Sequence, residues 1–120
     1  MAITYQMERQ DSVLRVIAKG KDDNMNEVSA YSTAVIEAAI QYNSKKILCD
    51  ERELEYSISV IDTFNLAQAA SKYAINLSRI AIICDQRYLA DGKFYETVAT
   101  NRGLIVLVTS DYKEALKWLE

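Results

Sequence analysis

The chain has 120 residues, 50% of them hydrophobic, which is the length and composition of one globular domain that can bury a core. Its formal net charge is −3 and no basic stripe is present, which argues against a nucleic-acid-binding protein. No apolar run approaches the ~18 residues that span a bilayer, and the N-terminus lacks the pattern of a secretory signal, so we expect a cytoplasmic protein without a membrane span.

Several residue types on which enzymes depend are missing. The sequence has no histidine, which removes serine–histidine and cysteine–histidine nucleophile pairs as well as histidine metal sites. Its three glycines are far apart, so no Gly-rich phosphate loop exists. Cys49 and Cys84 do not make a disulfide framework, and we expect both to be buried small side chains. The sequence therefore predicts a non-enzymatic protein with no cofactor and no metal.

The N-terminal part of the chain predicts two strands and a helix. Ile3–Met7 alternates apolar and polar residues, Val13–Ala18 is an apolar run, and the turn between them predicts a hairpin. A polar loop is expected at Gly20–Asn24. Asn24 and Glu27 then form a capping pair for a helix. Residues at helical spacing give this helix its apolar stripe: Val28, Tyr31, Val35, Ala39 and Tyr42.

The middle of the chain predicts a short strand, a charged loop, a helix and a further strand. Lys46–Cys49 is short and β-prone, and Asp50–Glu55 is interpreted as a solvated loop. A second helix begins after Ser59, and Arg79–Cys84 is the fourth strand. The helix has a mostly small face, formed by Phe64, Ala67, Ala70 or Ser71, Ala74 and Leu77. Such a face favours close packing on the layer beneath it.

The C-terminal part predicts a third helix, a fifth strand and a last helix. Leu89–Arg102 is the helix, and Gly103 stands where a left-handed C-cap is needed. Leu104–Val108 is uninterrupted and apolar, and Ser110 or Asp111 caps the final helix. Strands that alternate with helices predict an α/β fold: a β-hairpin followed by βαβαβα units, with a mixed five-stranded sheet and about four helices. We expect one domain, residues 1–120.

This order of elements resembles the STAS domain family, the anti-sigma factor antagonists and their relatives in sulphate transporters. The ending DYKEALKWLE resembles the closing helix of single-domain bacterial members related to stage II sporulation protein AA. KKILCDERELEYSISVIDTFNLA resembles the family's third strand, loop and second helix. The resemblance implies a STAS-like fold and a bacterial regulatory module for protein–protein interaction. It also implies a protein partner, such as a serine kinase or an anti-sigma factor.

In that family a serine or threonine at the start of the second helix, in an Asp-Ser-Ser-Gly-like motif, is phosphorylated by the partner kinase, which blocks binding. The four motif positions fall near Ile58, Ser59, Val60 and Ile61, so the aspartate and the glycine are absent here. The position usually phosphorylated corresponds to Val60. The resemblance therefore leaves Ser59 and Ser57 as the candidate phosphorylation sites.

Ser59 also has an interpretation that needs no family. The segment Ser59-Val60-Ile61-Asp62 fits the S/T-x-x-D/E capping pattern ahead of an apolar helix. The serine oxygen would accept a free backbone N–H, and Asp62 would favour the positive end of the helix dipole. A phosphoserine would suit the same dipole but would lie close to Asp62 and the acidic loop. Both roles stay open at this point.

The same stretch is the predicted partner-binding surface. It combines acidic side chains with apolar ones, and such a patch can supply a buried anchor within a polar rim. Its candidate residues are Glu53, Glu55, Ser57, Ile58, Ser59, Val60 and Asp62.

Two further sites were weighed. Asp50 and Asp85 each follow a cysteine at the end of a strand, and two carboxylates at one sheet edge could hold Mg²⁺ with water. The simpler interpretation is that polar residues end buried strands.

The alternative function is a carrier of a small apolar ligand, in a CRAL-TRIO-like pocket bordered by the second helix and by Phe94 and Tyr95. A homodimer is a further alternative, since tyrosines could line its interface.

Overall fold

Five strands and four helices make up residues 2–120, the part of the chain that this computed structural model describes. The strands are β1 (Thr4–Gln10), β2 (Val13–Asp22), β3 (Lys46–Tyr56), β4 (Arg79–Cys84) and β5 (Val106–Thr109). The helices are α1 (Met25–Gln41), α2 (Val60–Ala70), α3 (Leu89–Asn101) and α4 (Tyr112–Leu119). Short 3₁₀ turns at Ser71–Asn76 and Gln86–Tyr88 follow α2 and β4. The predicted α/β fold is confirmed.

The strands form one mixed sheet in the order β1-β2-β3-β4-β5. β1 pairs antiparallel with β2, whereas the other three pairs are parallel. The predicted hairpin is therefore correct, and its turn places Asp11 at φ 57°. Each parallel connection contains a helix, as right-handed crossovers between neighbouring strands require.

The two faces of the sheet are covered differently. The first face, beneath α1, α2 and α3, carries the larger core, to which β2 contributes Leu14 and Val16. The second face is covered by α4, whose Ala115 and Leu119 pack on Leu48 and on two β4 residues. Most apolar burial therefore lies on the first face.

The predicted loop at Asp50–Glu55 is wrong, because β3 continues through it to Tyr56. β2 likewise continues to Asp22, through most of the predicted loop at Gly20–Asn24, and the two extensions pair with each other. Asp22 and Glu51 lie on the first face, and the other charged side chains are compatible with a strand because they lie on the second face. There Glu53 is opposite Lys19, with their charged atoms 3.8 Å apart and both side chains exposed.

The predicted caps are confirmed. The Asn24 side chain accepts the Glu27 N–H at 3.1 Å, and the Asp111 carboxylate accepts N–H groups in the first turn of α4. Gly103 adopts φ 94° after α3, as a left-handed C-cap requires. The second helix is shorter than predicted, because α2 ends at Ala70 and the chain continues as a 3₁₀ turn. None of the helices in residues 2–120 has the length and apolar character needed to cross a membrane.

Candidate functional site

The link between β3 and α2 is anchored from below by a buried carboxylate. The Asp22 side chain, at the end of β2, accepts a hydrogen bond from the Ser57 N–H. Asp22 is buried, and this burial raises the pKa of its carboxyl to about 6. The Ser57 side chain itself is exposed. The path of the chain into α2 therefore depends on the end of the neighbouring strand.

Ser59 is the N-cap of α2. Its hydroxyl oxygen accepts the Asp62 N–H at 3.1 Å, and its carbonyl accepts the Thr63 N–H at 2.9 Å. The first bond satisfies an N–H group that the first turn of a helix leaves free, and the second is the first regular hydrogen bond of the helix. The predicted capping role is thus confirmed. Ser59 is nevertheless an exposed residue.

The start of α2 also exposes two large apolar side chains, Val60 at 64% and Ile61 at 72%. They stand beside exposed Ser57 and Ser59 and half-buried Asp62. We call this group the α2-start surface: Ser57, Ser59, Val60, Ile61 and Asp62. The sequence prediction included all of these residues except Ile61.

The three other residues predicted for partner binding lie outside the α2-start surface. Ile58 is half-buried and packs against the core. Glu53 and Glu55 are exposed on β3, but their side chains lie on the second face of the sheet, at positions opposite Lys19 and Lys21 of β2. The predicted surface is therefore divided between the start of α2 and the opposite side of the sheet edge.

Beneath the same segment lies a cavity of about 110 Å³, between the first face of the sheet and the three helices that cover it. Ile58, Thr63 and Leu66 close it from the α2 side, so the segment that carries the α2-start surface also forms a wall of the cavity. Most of the lining is apolar, from residues such as Val28, Val35, Ile47, Leu54, Ile80, Ile82 and Val108.

A carboxylate and two tyrosines form the polar part of the cavity. Glu51 is 8% exposed, and its Oε2 accepts the Tyr31 hydroxyl at 2.8 Å while its Oε1 accepts the Tyr56 hydroxyl at 2.5 Å. Burial raises the pKa of Glu51, and burial next to Glu51 raises the pKa of both tyrosines well above its usual range. The sequence analysis missed this cluster, since it placed Glu51 in a solvated loop. No local signal marks Glu51 as buried, because a regular alternation after Asp50 places it on the same face as the exposed Glu53 and Glu55.

Aromatic rings surround this carboxylate cluster. The Tyr31 ring lies 5.1 Å from that of Tyr5, and the Tyr56 ring lies 5.5 Å from that of Tyr88. Tyr95, on α3, lines the cavity, as the prediction of an aromatic border expected. Phe94 is not among the lining residues and is 37% exposed, so this part of the prediction is wrong.

The two aspartates considered for a metal site are each paired with a nearby arginine. Asp50 lies within β3 and pairs with Arg52 at 2.6 Å, whereas Asp85 follows β4 and pairs with Arg87 at 3.1 Å. Within residues 2–120, no group of three or more cysteine, aspartate or glutamate side chains is placed to hold a metal ion.

Both cysteines are free and buried, as predicted. Burial raises the pKa of the Cys84 thiol to about 11 and that of Cys49 well above its usual range. At neutral pH both are therefore thiols, which are weak nucleophiles.

Comparisons with known proteins show the fold. No protein-family model matches the chain, and neither does any curated protein. Among solved structures, an anti-sigma factor antagonist from Mycobacterium paratuberculosis matches with a TM-score of 0.69 and 16% identity, over 98% of this chain and 94% of that one. An uncharacterised DUF3478-family protein with a SpoIIAA-like fold, from Shewanella loihica, matches with a TM-score of 0.59 and 21% identity. That match covers 99% of this chain and 94% of the other.

The class defined by these matches is the STAS-like α/β domain, and the predicted resemblance is confirmed at the level of the fold. Both matches cover nearly the whole of this chain and 94% of the other chain.

Proposed function

We propose that this protein is a non-enzymatic regulatory module that binds a protein partner through the α2-start surface. The observation that carries the proposal is the exposure of two adjacent apolar side chains, Val60 and Ile61, beside polar Ser57 and Ser59. An apolar centre with a polar rim is the usual anatomy of a protein interface. The fold likeness to an anti-sigma factor antagonist supports a partner of the anti-sigma factor or serine kinase class.

The chemistry of the chain supports a role without catalysis. The thiols of Cys49 and Cys84 are buried and protonated, and the sequence has no histidine to activate a nucleophile. Free buried cysteines also suit the reducing cytoplasm, where we propose that the protein acts.

The partner surface is tested by placing a charge at its apolar centre. Val60 is exposed in the free protein, so Val60→Asp should leave the fold intact. In a complex the new carboxylate would be buried without a partner, which costs about 3–5 kcal/mol, or more than a hundred-fold in affinity. Glu53→Gln removes a charge on the second face of the sheet, outside the α2-start surface, and should cost about 1 kcal/mol or less.

The experiment is a pull-down with genomically neighbouring kinases and anti-sigma factors, followed by calorimetry on the partner that is captured. Ile75→Asp is the matched control, because Ile75 is 91% exposed and lies in the 3₁₀ turn beyond the other end of α2. We expect Val60→Asp to abolish binding and Ile75→Asp to preserve it. Wild-type affinity in a folded Val60→Asp variant would show that this is not the docking surface.

Phosphorylation is a second part of the proposal. Ser59 is exposed at the N-terminus of α2, where the helix dipole favours a phosphate, and Ser57 is exposed two residues earlier. We propose these two as the candidate acceptor sites of a partner kinase. Mass spectrometry after incubation with the captured kinase should locate a phosphate on one of them. A phosphate found elsewhere, or none at all, would contradict this assignment.

A second candidate function is favoured by the cavity, which suits a carrier or sensor of a small apolar ligand. Its volume of about 110 Å³ is of the order of cavities that hold a small aromatic molecule, about 150 Å³. Native mass spectrometry of the purified protein tests this directly, since a retained ligand adds its own mass. The same spectrum reports whether the protein is a homodimer.

A further inference from the structure

The mostly apolar cavity also contains several acidic side chains. Its lining includes three carboxylates, Asp22, Glu51 and Asp91. Among the lining residues that the structure describes, none is lysine or arginine. Asp22 and Glu51 are both buried, and the two recorded hydrogen-bond donors to Glu51, which is 8% exposed, are the neutral hydroxyls of Tyr31 and Tyr56. The cavity thus holds a buried carboxylate with hydrogen-bond partners but without a cation.

A buried carboxylate is stable when a positive charge accompanies it. The Tyr31 and Tyr56 hydroxyls each use their one hydrogen on Glu51, so their oxygens keep lone pairs that can accept further hydrogen bonds. An ammonium group carries three N–H donors and can satisfy such a set of oxygens. The tyrosine rings lining the cavity, including that of Tyr95, add negative faces that attract cations.

We propose that the cavity binds a small organic ammonium ion, whose charged group pairs with Glu51 while its apolar body contacts the helices and the sheet. This inference rests on the ligand-binding role suggested above and specifies its chemistry. The volume of about 110 Å³ limits the apolar body to a few carbon atoms, as in butylammonium. A long acyl chain does not fit these dimensions.

The inference predicts selectivity by charge at constant size. We would titrate the full-length protein with butylammonium, with 1-butanol as the neutral analogue and with butyrate as the anionic one, by calorimetry and amide NMR. Butylammonium should bind at least about ten-fold more tightly than butanol, and butyrate should not bind, because Glu51 repels it. Shifted amide signals should belong to the cavity, such as those of Ile58 and Leu66.

Glu51→Gln removes the charge at nearly constant volume and should lower butylammonium affinity by about ten-fold or more while leaving butanol affinity within about two-fold. Glu53→Gln is the matched control, since Glu53 lies on the exposed second face and should change neither. The comparison of ligands on the wild-type protein does not depend on whether the Glu51 variant folds. If butanol binds as tightly as butylammonium, the ammonium inference fails and the ligand-binding role stands. If neither binds, both fail.

Discussion

Glu51 and Leu54 lie three positions apart on β3, yet both side chains line the cavity on the first face of the sheet. In a regular strand, residues an odd number of positions apart face opposite sides. The register explains the exception: two steps along β2, from Ile17 to Lys19, correspond to three steps along β3, from Asp50 to Glu53. One extra residue in β3 therefore resets the alternation, as a β-bulge does.

Deleting Arg52 should convert the bulge into a regular pairing, because Glu53 would then follow Glu51 directly and Leu54 would still face inward. The loss is limited to the surface pair of Arg52 with Asp50 and its contact with the Tyr112 ring, about 1–2 kcal/mol. Denaturant titration measures the change in the free energy of unfolding.

Inserting an alanine between Glu53 and Leu54 is the contrasting variant. It should turn Leu54 and Tyr56 towards the second face and cost at least about 4 kcal/mol, because two large side chains lose their burial. If the extra residue did not reset the alternation of side chains along β3, the deletion and the insertion would lower the free energy of unfolding by equal amounts.

Ser59→Ala should destabilise the protein by about 1 kcal/mol, because it removes the oxygen that accepts the Asp62 N–H. Ser57→Ala is the matched control. The Ser57 contribution recorded in residues 2–120 is a backbone N–H donated to Asp22, which alanine retains. We expect the second variant to change the free energy of unfolding by less than about 0.5 kcal/mol. Equal effects in urea titrations would remove Ser59 from the capping role.

Asp22 should make stability fall as the pH rises through mildly acidic values. Its carboxyl has a pKa of about 6 in the folded protein, against an ordinary value of 3.8, because burial disfavours the charge. The protonated form therefore stabilises the fold fully below pH 3.8, and this contribution is lost as the pH rises through about 6. The loss is on the order of 2–3 kcal/mol, at about 1.4 kcal/mol per pKa unit.

Asp22→Asn keeps an oxygen to accept the Ser57 N–H but cannot ionise. Its stability relative to wild type should be nearly unchanged at pH 4 and higher by up to about 2–3 kcal/mol at pH 7. Asp23→Asn, at the exposed neighbouring position, should show no such trend. A stability difference for Asp22→Asn that is constant from pH 4 to pH 7 would rule out the titration of this group.

Gly92→Ala should destabilise the protein although alanine is the better helix former. The substitution gains about 1 kcal/mol of helix propensity in α3. The added methyl group, however, would overlap Val108 of β5 and lie 3.6 Å from the Cys84 sulfur, and overpacking of this kind costs about 1–3 kcal/mol. In the Val108→Ala background the overlap is relieved, so the same substitution should become neutral or stabilising. Thermal melts of the four proteins in this cycle measure the coupling.

Features that depend on local sequence could be predicted. Arg79–Cys84 was predicted to its ends, because a continuous apolar run bounded by polar residues has one good environment, the middle of a parallel sheet. Asn24 and Ser59 were predicted as caps because a capping residue interacts with N–H groups a few positions away.

Features that depend on distant partners could not be predicted. The extension of β3 through Asp50–Glu55 pairs with the matching extension of β2. No short sequence pattern in either segment predicts that the two will pair. The burial of Glu51 likewise depends on Tyr31, twenty positions earlier on α1. In a strand without the bulge, Glu51 and Glu53 would lie on the same face of the sheet. The sequence therefore favoured an exposed position for both side chains.

The spatial order of the strands, β1 to β5, is also their order along the chain. During synthesis each new strand can therefore join the free edge of the sheet already formed, without waiting for residues still to be made. α4 emerges after all five strands, and until then the apolar patch on the second face around Leu48 and Ile83 is uncovered. A nascent chain that ends near Thr109 exposes this patch and is the form of the protein most in need of a chaperone.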